Sequence, residues 1–116
     1  MLASRDFYGK WTFAQSSSWV QIDPASGVLS VGADAGDGRT QFNAYGTEDA
    51  FVLQGNNGLY VTSSAGSYTA NAKRDGALNQ FMLVAGTGGA VYVRDLGVDG
   101  AGPQFDWNNE VECCAR

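Results

Sequence analysis

The chain has 116 residues, 44% of them hydrophobic, and a net charge of −5 from twelve acids against seven bases. One domain of that length hides roughly two thirds of its unfolded surface and needs no staples to hold a core. The acidic balance, with Lys73-Arg74 as the one adjacent basic pair, argues against nucleic acid or an anionic membrane surface as partner, since both demand a basic stripe.

Sixteen glycines, two prolines and only 16% charged residues mark a chain rich in tight turns rather than a Pro-rich linker. Apolar residues at helical spacing with caps are absent, while short alternating runs recur throughout. In chain order, the alternation predicts strands at 5–8, 10–15, 19–23, 28–32, 40–45, 50–54, 58–63, 67–72, 80–85, 90–95, 103–108 and 110–115. Between them stand turn signals: Asp23-Pro24, Ser26-Gly27, Asp37-Gly38, Asn56-Asn57-Gly58, Asp75-Gly76, Gly88-Gly89 and Asp99-Gly100. Asn-Gly and Asp-Gly close hairpins because both residues accept a positive φ.

The spacing carries an echo. Trp19-Val20, Ser26-Gly27, Asp37-Gly38 and Gln41-Phe42 recur 38 to 41 residues later as Tyr60-Val61, Ala65-Gly66, Asp75-Gly76 and Gln80-Phe81. A period near 40 indicates copies of one β-unit. The expected fold is all-β: a β-trefoil-like barrel of about twelve short strands, with a β-sandwich or jelly roll as the alternative. The units are placed near 10–46 and 47–85, with a shortened third unit at 86–116. In that third unit Asp99-Gly100 and Gln104-Phe105 repeat the signals only 24 residues after the second copy.

The second unit reads Phe51-Val-Leu-Gln-Gly-Asn-Asn-Gly-Leu-Tyr-Val-Thr-Ser-Ser-Ala-Gly-Ser-Tyr-Thr-Ala-Asn-Ala, then Asn79-Gln80-Phe81. This stretch resembles a fascin-type β-trefoil repeat. The shared pattern is an apolar strand, Asn-Gly, an aromatic-Val strand, a Gly turn, a Thr-Ala strand, and an acid or amide before Phe. The resemblance spans residues 10–85. It implies a domain that binds carbohydrate or bundles actin, and no site residue transfers by motif.

Chemistry is sparsely provided. The chain has no histidine, which removes the commonest general base and zinc ligand, and with them Ser-His-Asp and Cys-His nucleophiles. Paired carboxylates remain, at Glu48-Asp49 and at Glu110 with Glu112; both read as solvated turn acids. Asp34-Ala-Gly-Asp37-Gly38 has Gly one place too early for a calcium loop. Cys113 and Cys114 are adjacent and form no framework disulfide; in a strand they face opposite sides, one inward and one outward, with an intermolecular disulfide, or a vicinal disulfide or soft-metal contact, as the alternatives. No catalytic residue, metal site or cofactor is expected.

Aromatics are the better material. Phe13, Phe42, Phe51, Phe81 and Phe105 read as core. Trp107 with Asn108 and Asn109, Tyr60 with Asn56 and Asn57, and Trp19 combine an aromatic face with amides, which suits stacking on a sugar ring or anchoring a protein partner. The expected function is a lectin-like, non-catalytic module recognising carbohydrate or a protein surface. Structural assembly, such as a viral capsid decoration or cement protein, is the alternative, and an actin-crosslinking role follows. A homo-oligomer or larger assembly is compatible with either. The chain opens with no basic segment leading into an apolar one, and no apolar run approaches the roughly 20 residues that span a bilayer. Cytoplasm or virion is therefore expected ahead of the secretory route.

Overall fold

A computed structural model of the chain describes residues 6–15, 18–23, 25–32, 40–64, 67–100 and 111–115. Among them lie ten strands, all in one antiparallel sheet: β1 (Phe7–Gln15), β2 (Ser18–Ile22), β3 (Leu29–Gly32), β4 (Phe42–Thr47), β5 (Ala50–Gln54), β6 (Tyr60–Ser64), β7 (Ser67–Ala72), β8 (Asn79–Ala85), β9 (Val91–Val98) and β10 (Val111–Ala115). The described residues form no α-helix. No helix among them is long and apolar enough to cross a membrane.

The pairings run nearly full circle. β1 pairs β4, β4 pairs β5, β5 pairs β8, β8 pairs β9, β9 pairs β10, and β10 returns to β1. The result is a nearly closed, barrel-like sheet rather than two stacked sheets, so the sandwich alternative is set aside. Two hairpins stand off this ring. β2–β3 joins β1 through Ala14↔Trp19 and Gln15↔Ser18, and β6–β7 joins β5 through Gln54↔Tyr60.

The predicted strands match closely, with one correction at the start. The runs at 5–8 and 10–15 belong to a single strand, β1, whose register shifts between Phe7 and Gly9. A bulge lets one strand bend around a barrel without ending, and the glycine there reads in sequence as a break. The predicted strand at 103–108, with Phe105, and the Asp34–Gly38 loop lie outside the described residues.

Alternation explains the core. Trp11 and Phe13 of β1, Val20 and Ile22 of β2, Phe42 and Ala44 of β4, and Phe51 and Leu53 of β5 sit two apart and point inward, as the two-residue side-chain period requires. Phe13–Phe42, Trp11–Phe51 and Phe51–Phe81 meet with ring centroids 5.7, 5.6 and 6.0 Å apart. Each such side chain contributes about 1.5–3 kcal/mol by leaving water. β5 is buried on both faces: its outward Val52 packs with Tyr60 and Leu78, and with Tyr45, Ala50 and Ala72, in a second cluster outside the barrel.

Candidate ligand-binding face

The hairpin β2–β3 is shaped by its turn. Gly27 N–H donates to Asp23 O at 2.6 Å, Asp23 N–H to Val28 O at 3.0 Å, and the Asp23 carboxyl accepts from Ala25 N–H at 2.9 Å. This is the local bonding that Asp and Gly supply in turns. The turn fixes the register Trp19↔Gly32, Val20↔Val31, Gln21↔Ser30 and Ile22↔Leu29. Cross-strand partners share a face. Val20 and Ile22 are buried in the core, so Trp19, Gln21, Ser30 and Gly32 together form the outer face.

Of the described aromatic residues, Trp19 and Tyr92 alone make no ring–ring contact; the rest fall into two groups, Phe7–Tyr45–Tyr60 and the core rings from Tyr8 to Phe81. Trp19 is half-buried, and its indole is not spent on the core. The Gln21 carboxamide lies over Gly32: a Cβ at Gly32 would sit 2.5 Å from Gln21 Nε2. Glycine therefore clears the space that the amide occupies. An indole face, a carboxamide and the exposed Ser30 hydroxyl stand side by side.

The remaining sequence-predicted site residues fall elsewhere. Trp107, Asn108 and Asn109 lie outside the described residues. Tyr60 is interior, 5% exposed, with its ring 6.0 Å from Tyr45. Asn57 is committed to the framework: its amide donates to Ala70 O at 2.9 Å and its carbonyl oxygen accepts from Leu59 N–H at 3.1 Å. Asn56 is exposed on the same turn. The structure brings Asn56, Asn57 and Tyr60 close along the chain, and gives only Asn56 to solvent.

Two polar groupings escaped the sequence reading. Asp95 is 1% exposed, and its carboxyl accepts from Tyr68 OH at 2.9 Å, Asn79 Nδ2 at 2.9 Å and Gly97 N–H at 2.8 Å. Its inward position, two past Val93, is the available signal. Gln54 similarly accepts from Asn43 Nδ2 at 3.1 Å and Tyr45 OH at 3.3 Å, and donates to Gly58 O at 3.1 Å. Both are framework bonds: a buried polar group left without partners costs about 1–3 kcal/mol.

At the start of β1, Phe7 is 61% exposed, and Tyr8 stands edge-on to Trp11 at 4.9 Å. The Tyr8 phenol titrates above its ordinary value, chiefly because burial disfavours the phenolate and further because Glu48 and Asp49 lie near it. Those acids are exposed side by side in the β4–β5 turn. Among the described residues, no three carboxylate or thiol groups converge as metal ligands do. The side chains of Glu110, Glu112, Cys113 and Cys114 lie outside the described part.

The sequence matches no protein-family model, and it matches no curated protein at a significant level.

Proposed function

We propose that this chain is a non-catalytic, lectin-like binding module of trefoil type, and that the outer face of the β2–β3 hairpin binds carbohydrate. One observation carries the reading. Trp19, unlike every other described aromatic but Tyr92, makes no ring contact, and it stands beside the Gln21 amide and the Ser30 hydroxyl. A sugar presents an apolar ring face rimmed with hydroxyls, and this pairing of indole with amide meets both. The trefoil element is supported by the six-strand ring with hairpins hung from β1 and β5, by the repeat near 40 residues, and by the fascin-like pattern.

A second reading is assembly into a larger shell, such as a virion surface. It rests on β3, an end strand of the sheet path, where Val31 is 49% exposed; the preceding Val28 is already bridged to Thr69 of β7. Past that bridge, a strand with an exposed valine and no lysine or proline of its own invites pairing with another chain. Actin crosslinking rests on the fascin resemblance alone.

The test is light-scattering mass at two protein concentrations, with indole fluorescence followed during titration with a glycan mixture. A monomer whose fluorescence shifts with glycan, and whose Trp19→Ala form folds but no longer binds, supports the lectin. A multimer indifferent to glycan overturns it in favour of assembly.

A further inference from the structure

The turn Asn56-Asn57-Gly58 joins β5 to β6, and its middle residue ties together segments far apart in sequence. Asn57 Nδ2 donates to Ala70 O on β7. The N–H of the same Ala70 donates to Gly27 O at 2.7 Å, in the turn of the other hairpin. One residue of β7 is thus held from both sides, by Gly27 and by Asn57. The junction is tight: Gly27 has φ +77°, and a Cβ there would lie 2.5 Å from Ala70 O.

Asn-Gly is also the dipeptide that most easily cyclises on itself, because glycine has no Cβ to hinder the approach. The Gly58 nitrogen loses its proton and bonds to Asn57 Cγ. The Cγ–Nδ2 bond breaks and ammonia leaves. Water then opens the cyclic imide to aspartate or isoaspartate, and no other reactant is needed.

In the folded chain every participant is restrained. The attacking Gly58 N–H donates to Gly55 O at 3.0 Å. The departing Nδ2 is bonded to Ala70 O, and the carbonyl oxygen is bonded to Leu59 N–H. We infer that Asn57 is a fold-gated deamidation site whose modification removes the side-chain brace on Ala70, the β7 residue that bonds Gly27 of the other hairpin. Closed, the junction blocks the reaction; opened, it permits it, so the rate follows the open population. Conversion removes the donor to Ala70 O and sets a negative charge beside that carbonyl. A transient opening becomes a permanent loosening, and the site records how long the junction has spent open.

The experiment incubates the protein at mildly alkaline pH with and without denaturant, and maps amide-to-acid conversion by peptide mass. Conversion at Asn57 should run about tenfold or more faster in denaturant, with the neighbouring Asn56 lagging in both. Equal rates in the two conditions, or conversion centred on Asn56, overturn the gating. Thermal unfolding of Asn57→Asp should show a midpoint lowered by roughly 5 °C or more. Should that variant not fold, Asn57→Ala, which removes the donor without adding charge, should show a smaller drop. A midpoint equal to wild type in whichever variant folds refutes the loss of that brace.

Discussion

Trp19 and Tyr60 stand at matching points of the repeat, one in each hairpin, and each is followed by a buried valine, Val20 or Val61. Their surroundings differ completely. Trp19 lies on an outer face without a ring neighbour. Tyr60 is enclosed by Val52 and Leu78 and by Tyr45, whose ring carries the Arg74 guanidinium 4.9 Å from its centroid. The repeat fixes the backbone and the inward residue. What covers the outer residue comes from non-repeated neighbours: the outward Val52, and the segment after β7 that brings in Leu78. Matching places in a fold are therefore not matching sites, and the less enclosed one retains material for a ligand.

The widest separation between the two hairpins should appear in stability. Tyr60→Ala opens a cavity in a packed cluster and should cost about 3 kcal/mol, whereas Trp19→Ala, on an outer face, should cost under about 1 kcal/mol. Denaturant unfolding of both variants measures the difference. Equal losses would place Trp19 in the packing, and the comparison would collapse.

The hairpins also differ in how they are anchored. Tyr68 on β7 reaches Asp95 of β9 through its hydroxyl, so the second hairpin is bonded to a barrel strand by a side chain. Tyr68→Phe keeps the ring against Phe81, 6.2 Å away, and removes the hydroxyl that donates to Asp95. A loss of about 2 kcal/mol is expected, since the carboxyl loses a donor in a buried setting. Calorimetry would show it as a lowered melting temperature. No change would mean that the remaining partners of Asp95, Asn79 and Gly97 among them, satisfy it.

Much of the fold was legible in the sequence because strands and turns are local. Phe13, Phe42, Phe51 and Phe81 all reach the core as their alternation foretells, and Asp23 and Gly27 form the turn that their chemistry requires. The first boundary failed because a bulge at Gly9 looks like a break when the partner strand is unknown. Site residues were harder to read. Asn57 looked like a ligand amide, yet its partner Ala70 lies thirteen residues away, and nothing local announces it. Tyr60 looked like a stacking platform until Val52, Tyr45 and Leu78 closed over it. Gln21, Ser30 and Gly32 went unnoticed because they become a face only through cross-strand register. Asp95 keeps the alternation of β9 but puts a carboxyl where an apolar side chain is expected, which makes sense only beside Tyr68, Asn79 and Gly97.

The smallest change sharpens the comparison most. Gly32→Ala places a methyl where Gln21 now lies, 2.5 Å from Nε2, 2.7 Å from Cδ and 2.8 Å from Oε1. Those atoms end a flexible side chain, so the amide swings aside and the backbone stays. A strand glycine replaced by alanine also loses less entropy on folding, so stability should hold or rise by a few tenths of a kcal/mol. Glycan affinity should nonetheless fall, because the amide no longer sits beside the Trp19 indole. The paired measurement is a melting curve and a glycan titration on the same sample. Unchanged stability with weakened binding would assign Gln21 to the ligand; unchanged affinity would leave Trp19 acting without it and shrink the face to the indole alone.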